Sequence, residues 1–180
     1  MKGIISEYEK VGAGVQKTFS SLSPEQINWK PRADSWSVGQ CLDHLIKSNK
    51  AFDEQFQALA KGEKKPSFWE KYSPLTGFFG NFLLKSLKND AKKFKAPSKA
   101  IVPPSDISPD IVEQFVKHQE DIVKKLKSLE NVDLQKTVVT SPFLKLMTYR
   151  LDIALEIGVE HEKRHIRQAE RVMKTDGFPK

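Results

Sequence analysis

The sequence predicts an all-α protein, a four-helix bundle, on three observations. Four stretches repeat apolar residues at spacings of three and four, the period of one helix face. Prolines fall between those stretches rather than within them. No pair of strand-like segments and no internal repeat competes with that reading.

Residues 4–19 form the first expected helix, with Ile4, Ile5, Tyr8, Val11, Val15 and Phe19 in register and Gly12 and Gly14 weakening it. Residues 22–36 read as a connecting loop that contains a short helical start at Ser23-Pro24-Glu25. Ser37-Val38-Gly39-Gln40 fits a capping box, in which Ser and Gln each satisfy a backbone N–H of the other, so a second helix starts at Val38. Its stripe of Val38, Cys41, Leu42, Leu45, Ile46, Phe52, Phe56 and Leu59 predicts one helix that stops at Lys61-Gly62.

From 62 to 107 the pattern breaks, punctuated by Pro66, Pro74, Pro97, Pro103 and Pro104; only 75–87, with Phe78, Phe79, Phe82 and Leu83, suits a short helix. Ser108-Pro109-Asp110 then offers a cap, a proline at the first position and an acid in the first turn. A third helix follows through Leu129 on Ile111, Phe115, Ile122, Leu126 and Leu129. Thr137-Val138-Val139-Thr140 has strand character, but one strand forms no sheet, so 131–141 is expected to be an extended loop. The fourth helix is expected from Phe143 or Thr148 to Lys174. Its stripe holds Leu151, Ala154, Leu155, Gly158, His161, Glu162, His165, Gln168, Ala169 and Val172, and Asp176-Gly177 ends it.

Short connections make neighbouring helices antiparallel, whereas the long connection between helices 2 and 3 can recross the bundle and leave those two parallel. The expected topology is up-down-down-up. At 180 residues the chain suits a single domain over 1–180. Cys41 is the only cysteine, which excludes an internal disulfide and multi-cysteine zinc sites and suits a reducing cytoplasm. The charged N-terminal stretch lacks the apolar core of a signal peptide, and no run reaches the roughly 18 apolar residues of a membrane span.

Two of the four histidines, His161 and His165, stand one helical turn apart, so both imidazoles can reach one metal ion if a third ligand arrives from elsewhere. In the up-down-down-up arrangement that ligand is His44. It lies roughly 10 Å into the second helix, and His165 roughly 14 Å from the end of the fourth, at 1.5 Å per residue. Three histidines leave coordination positions open, the catalytic pattern for zinc; imidazoles also suit nickel and iron. The spacing alone leaves hydrogen-bonded core histidines as the plainer alternative.

Trp36-Ser37-Val38-Gly39-Gln40-Cys41-Leu42-Asp43-His44-Leu45 and His161-Glu162-Lys163-Arg164-His165-Ile166-Arg167-Gln168 together resemble the two signature segments of the DinB-like superfamily. The resemblance implies an up-down-down-up four-helix bundle whose matching histidines, His44, His161 and His165, bind a divalent metal, commonly zinc or nickel. It also implies a choice of activities: transfer of a low-molecular-weight thiol to a small-molecule substrate, an isomerisation, or hydrolysis. A metal with open positions could lower the pKa of a thiol or water toward neutrality, the thiol giving S-transfer and the water hydrolysis.

Among the neighbours, Glu162 and Gln168 are candidate acceptors for imidazole N–H groups. Asp43 is expected to be a solvated helix charge, Cys41 a small buried hydrophobe, and His118 exposed or at the rim of the pocket. The charge of +7 is local: residues 61–99 hold ten lysines, no arginine and three acids, interleaved with Phe68, Trp69, Tyr72, Phe78, Phe79 and Phe82. The plain expectation is lysines in solvent with the aromatics packed into the side of the bundle. Alternatives are an anionic membrane surface, single-stranded nucleic acid, or a lid over an acidic thiol. Lysine without arginine speaks against specific nucleic-acid recognition. The competing function is a non-catalytic metal-binding or interaction protein that uses this segment to dock on an acidic partner or to form a homodimer.

Overall fold

The structure, a computed structural model, describes residues 1–89 and 98–180; Asp90, Lys92, Lys93, Lys95 and Pro97 of the basic segment lie outside the described residues. The described chain is mostly helical, with one small two-stranded sheet. α1 (Lys2–Phe19) buries Tyr8, Val11, Val15 and Phe19 along one face, as its spacing predicts. α2 (Pro24–Asn28) is a single capped turn inside the first connection, started by a Ser23–Gln26 capping box. The predicted box at the next helix is present: Ser37 N–H donates to Gln40 Oε1 and Gln40 N–H to Ser37 Oγ, both at 3.1 Å.

The second predicted helix is in fact two, α3 (Val38–Lys50) and α4 (Asp53–Ala60). Ala51 and Phe52 close α3, the Phe52 N–H turning back to Asn49 O at 3.0 Å. Charge favours the break: Lys47 and Lys50 occupy the last turn of α3, and Asp53 and Glu54 the first turn of α4, each complementing a helix end. α5 (Phe68–Tyr72), started by a Ser67–Glu70 capping box, was not foreseen, whereas α6 (Thr76–Leu87) matches the expected short helix. A 3₁₀ turn at Lys99–Ile101 leads toward α7 (Ile111–Lys127).

The stretch expected to be extended loop is a strand with a partner. β1 (Val138–Thr140) pairs antiparallel with β2 (Thr148–Arg150), Val139 opposite Tyr149, and both of these are buried. The last helix, α8 (Leu151–Met173), therefore starts after β2 and not at Phe143 or Thr148. Its start is set by backbone groups: Leu151 N–H donates to Thr137 O (2.8 Å) and Asp152 N–H to Leu134 O (3.1 Å), which satisfies donors a helix leaves unpaired.

α1 packs on α7 and α3 on α8, and α3 also meets α7 while α1 meets α8. The interior they enclose has two apolar clusters. One gathers Val15, Phe19, Leu42, Leu45, Ile111, Phe115 and Val172; the other Tyr8, Ile122, Leu126, Val139, Tyr149, Leu151 and Leu155. Each fully buried large side chain, such as Phe19 and Phe115, contributes about 1.5–3 kcal/mol through burial. A polar layer interrupts this interior, Asn49 of α3 and Gln119 of α7 both donating to Glu162 of α8, with Ser48 of α3 and His118 of α7 also buried.

Two glycines in long helices give opposite expectations. Gly14 is exposed with open space where a Cβ would go, so Gly14→Ala stabilises by about 0.5–1 kcal/mol through helix propensity. A Cβ at Gly158 runs into Tyr8 Oη, and Tyr8 is buried. Gly158→Ala therefore destabilises, an overpacking cost of about 1–3 kcal/mol outweighing the propensity gain. Urea denaturation of the two variants checks the pair; shifts of the same sign contradict the packing described.

Candidate metal centre

His44 sits in the middle of α3, in a first-turn frame fixed by the Ser37–Gln40 box, and Gln40 Nε2 also donates to Pro104 O at 2.7 Å. His161 and His165 stand one turn apart on α8, which packs against α3. The three predicted residues come together: one nitrogen from each lies within 4.8 Å of the others, and His44 Nε2 is 3.3 Å from His161 Nε2. His44 is buried, while His161 and His165 keep partial exposure.

Hydrogen bonds decide which nitrogens face inward. His44 Nδ1 is 2.7 Å from the carbonyl of Ile101, which can only accept, so Nδ1 carries the proton and Nε2 is a lone pair. His165 Nδ1 donates to Gln168 Oε1 at 3.0 Å, which likewise frees its Nε2. Such bonds through the second ring nitrogen are how ligating histidines are oriented. Burial and neighbouring positive groups keep all three imidazoles neutral at pH 7. Desolvation pulls His44 below its usual range against the Ile101 bond, and desolvation with the facing His165 and His44 rings pulls His161 well below it. His165 falls to about 3, through desolvation first and the His44 ring second.

These residues fit a divalent metal ion. Bonds of about 2.0–2.1 Å to tetrahedral zinc place two ligand nitrogens about 3.3–3.4 Å apart. That is the His44–His161 separation of 3.3 Å. In neutral rings without an ion, His161 Nε2–H can donate to the His44 Nε2 lone pair across that gap, and a cation there would take a lone pair from each.

Residues that sequence reasoning did not single out complete the surroundings. Trp36, immediately before the cap, stacks on His165 (ring centroids 5.5 Å, planes 26° apart) and tilts against His44 (4.8 Å). Arg164, between the α8 histidines, donates from Nη1 to Asn89 O at 2.9 Å and more loosely to Ser86 O and Leu87 O, tying the C-terminal end of α6 to the site. Glu162 does not touch a histidine. It is fully buried in the polar layer, its Oε1 accepting from Asn49 Nδ2 and Gln119 Nε2, both at 2.7 Å. Burial raises its pKa to about 7, partly opposed by those two donors. The carboxyl thus links α3, α7 and α8 one residue from a histidine.

Other expectations are confirmed or corrected. Cys41 is buried, its thiol pushed up to about 12 by desolvation, and it takes no part in the histidine cluster. Asp43 is paired with Lys47 at 2.7 Å on the face of α3. His118, expected to be exposed or at the pocket rim, is buried with Nε2 unpartnered, because α7 is covered by α3 as well as by α1. A hollow of about 340 Å³ between α1 and α8 is lined by Glu7, Lys10, Lys163 and Arg167 among others, and the three histidines do not line it.

His118 gives a pH signature. Desolvation, then Lys125 and Lys50, lower its imidazole to about 4 from an ordinary 6.5. A histidine with a depressed folded-state pKa stabilises the fold above 6.5 and loses that contribution as pH falls toward 4. For metal-free protein, stability lost between pH 7 and pH 5 should be about 2 kcal/mol smaller in His118→Leu than in the wild type. Equal pH slopes in denaturation curves contradict the burial of this ring.

A family model described as the DinB superfamily matches residues 7–169. The uncharacterized protein YuaE of Bacillus subtilis (strain 168) is 29% identical over 159 residues, covering 86% of this chain and 87% of that protein. No solved structure matches. With most of its length matched, the two histidine-bearing segments included, the chain belongs to the DinB superfamily.

Proposed function

We propose that this protein is a metal-dependent enzyme in which His44, His161 and His165 ligate one divalent ion, with zinc or nickel favoured and iron also accommodated by imidazoles. The observation that carries the reading is the convergence of one ring nitrogen from each of three histidines within 4.8 Å, two of them 3.3 Å apart. His44, His161 and His165 would hold the ion, whose Lewis acidity would make a low-molecular-weight thiol or water nucleophilic near neutral pH, for S-transfer in the first case and hydrolysis in the second. Partial exposure of His161 and His165 supports an opening toward substrate rather than a sealed structural ion.

The chain's own residues have separable tasks in this account. Ile101 O and Gln168 Oε1 hold the protons of His44 and His165 on Nδ1, so both rings present Nε2. Trp36 covers one flank of those rings and keeps water from it. Glu162, through Asn49 and Gln119, keeps the α3 and α8 ligands at fixed separation.

We read the four long helices as an up-down-down-up bundle within a single domain over 1–180. The order of the clusters supports this. α1 runs from the cluster of Tyr8 to that of Phe19, and α8 likewise from Leu155 to Val172. α3 and α7 run the other way, from Leu42 toward Asn49 and from Phe115 to Leu126. A cytoplasmic setting, where low-molecular-weight thiols stay reduced, suits the reading. No described helix is long and apolar enough to cross a membrane.

Protein purified without a nickel column should contain about one equivalent of divalent metal, and a His44→Ala/His161→Ala/His165→Ala variant almost none. Thiol-transfer and hydrolysis assays of the loaded protein should show activity that falls about a hundredfold or more in His44→Ala. Folded wild type that takes up no added zinc or nickel contradicts the proposal.

A further inference from the structure

The basic segment does not behave as its plain expectation had it. Apart from half-buried Phe79, its aromatics stand out instead of packing into the side of the molecule: Phe68, Tyr72, Phe78 and Phe82 are each more than half exposed, and Trp69 and Leu75 nearly so. They are ordered in register, not scattered. Phe68 and Tyr72 lie one turn apart on α5 with ring centroids at 5.1 Å, and Phe78 and Phe82 one turn apart on α6, stacked at 6.1 Å. The loop joining β1 to β2 adds Leu144 and Leu146, also exposed, with exposed Lys145 between them.

These side chains project from a fixed base. Buried Glu70 of α5 accepts from Thr140 Oγ1 (2.9 Å), from Lys64 Nζ (2.7 Å) and from the Ser67 N–H (2.8 Å), which fastens α5 to β1. Burial works to raise its pKa, but those donors outweigh it and hold the carboxyl below its usual range. Thr76 and Thr148 share a hydrogen bond of 2.8 Å, and Gly80 of α6 lies against Tyr149 and Ile153. The buried faces of α5 and α6 are therefore committed to the hairpin and α8, and among the described residues nothing covers the aromatic faces. Exposed apolar groups gathered in this way mark an interaction surface.

Charge selects among occupants. Lys61, Lys65, Lys71, Lys85 and Lys88 are exposed around the aromatics against one exposed acid, Glu63, and only Lys64 in this stretch is ion-paired among the described residues. A second copy of the chain would bring like-charged rims together, which opposes self-association. Nucleic acid would be met by lysines without an arginine. Phenylalanines and leucines projecting from a lysine-rich surface suit a partner that is apolar beneath and anionic on top.

We propose that α5, α6 and the hairpin tip form a docking surface for the headgroup and upper acyl region of an anionic lipid bilayer. The aromatics and leucines enter the interface and the lysines meet the headgroups. The surface is separate from the metal centre, and its test does not depend on metal content.

The test uses the full chain with vesicles of phosphatidylcholine alone, or with about 30 mol% phosphatidylglycerol. Co-sedimentation should be about tenfold greater on the anionic vesicles and fall several-fold in about 0.5 M salt. Phe78→Ser/Phe82→Ser should lose about tenfold of that binding, with an unfolding midpoint no lower than wild type, because those rings are exposed. The single variant Phe78→Trp should show an emission blue-shift on the anionic vesicles alone. Absence of binding, or binding that the double variant leaves unchanged, overturns the proposal. So does concentration-dependent dimerisation, or capture of single-stranded DNA, that requires Phe78 and Phe82 when vesicles are not bound.

Discussion

The hydrogen bond from His44 Nδ1 to the carbonyl of Ile101 is the contact on which the site turns, because a carbonyl accepts and never donates. It fixes the tautomer of a buried ring and aims Nε2 at His161, 3.3 Å away. Desolvation lowers all three histidines, which disfavours their cationic forms and leaves each neutral imidazole with one N–H and one lone pair. Three such rings gathered at one point would suit a metal ion.

Holding such an arrangement costs stability elsewhere. The polar layer of Asn49, Gln119 and Glu162 interrupts an otherwise apolar interior, and the Glu162 carboxyl is buried without a cation beside it. Its two donors, at 2.7 Å, offset part of that cost and join three helices at the depth of the site. The same frame carries the lysine-rich excursion: Arg164, between two of the histidines, grips the C-terminal carbonyls of α6, and Ile101 at the far end of the excursion supplies the acceptor for His44. The excursion is thus anchored at the site by the C-terminal end of α6 and by Ile101, while the aromatic faces of α5 and α6 look outward.

Much of this was legible in the sequence. The Ser37–Gln40 box located the start of α3 and, by counting residues, the depth of His44, and apolar periodicity placed α1, α3, α7 and the body of α8. The break at Ala51 and Phe52 was hidden because Phe52, Phe56 and Leu59 keep the helical register across it. The hairpin was hidden because the stripe of α8 reads back without interruption into β2. The acceptor of His44 is a backbone carbonyl 57 residues away, a group with no side-chain signature. His118 was expected at the surface and Gln119 was passed over for a related reason: polar residues suggest surface, and only packing on two sides of α7 shows that these are enclosed.

The central claim is that three imidazoles, and no sulfur, hold one divalent ion. X-ray absorption spectroscopy of zinc-loaded protein tests it most directly. The account predicts nitrogen or oxygen scatterers at about 2.0–2.1 Å, with outer-shell scattering from three imidazole rings. A sulfur scatterer near 2.3 Å, which only Cys41 or a methionine of this chain could supply, or fewer than three rings, would contradict it.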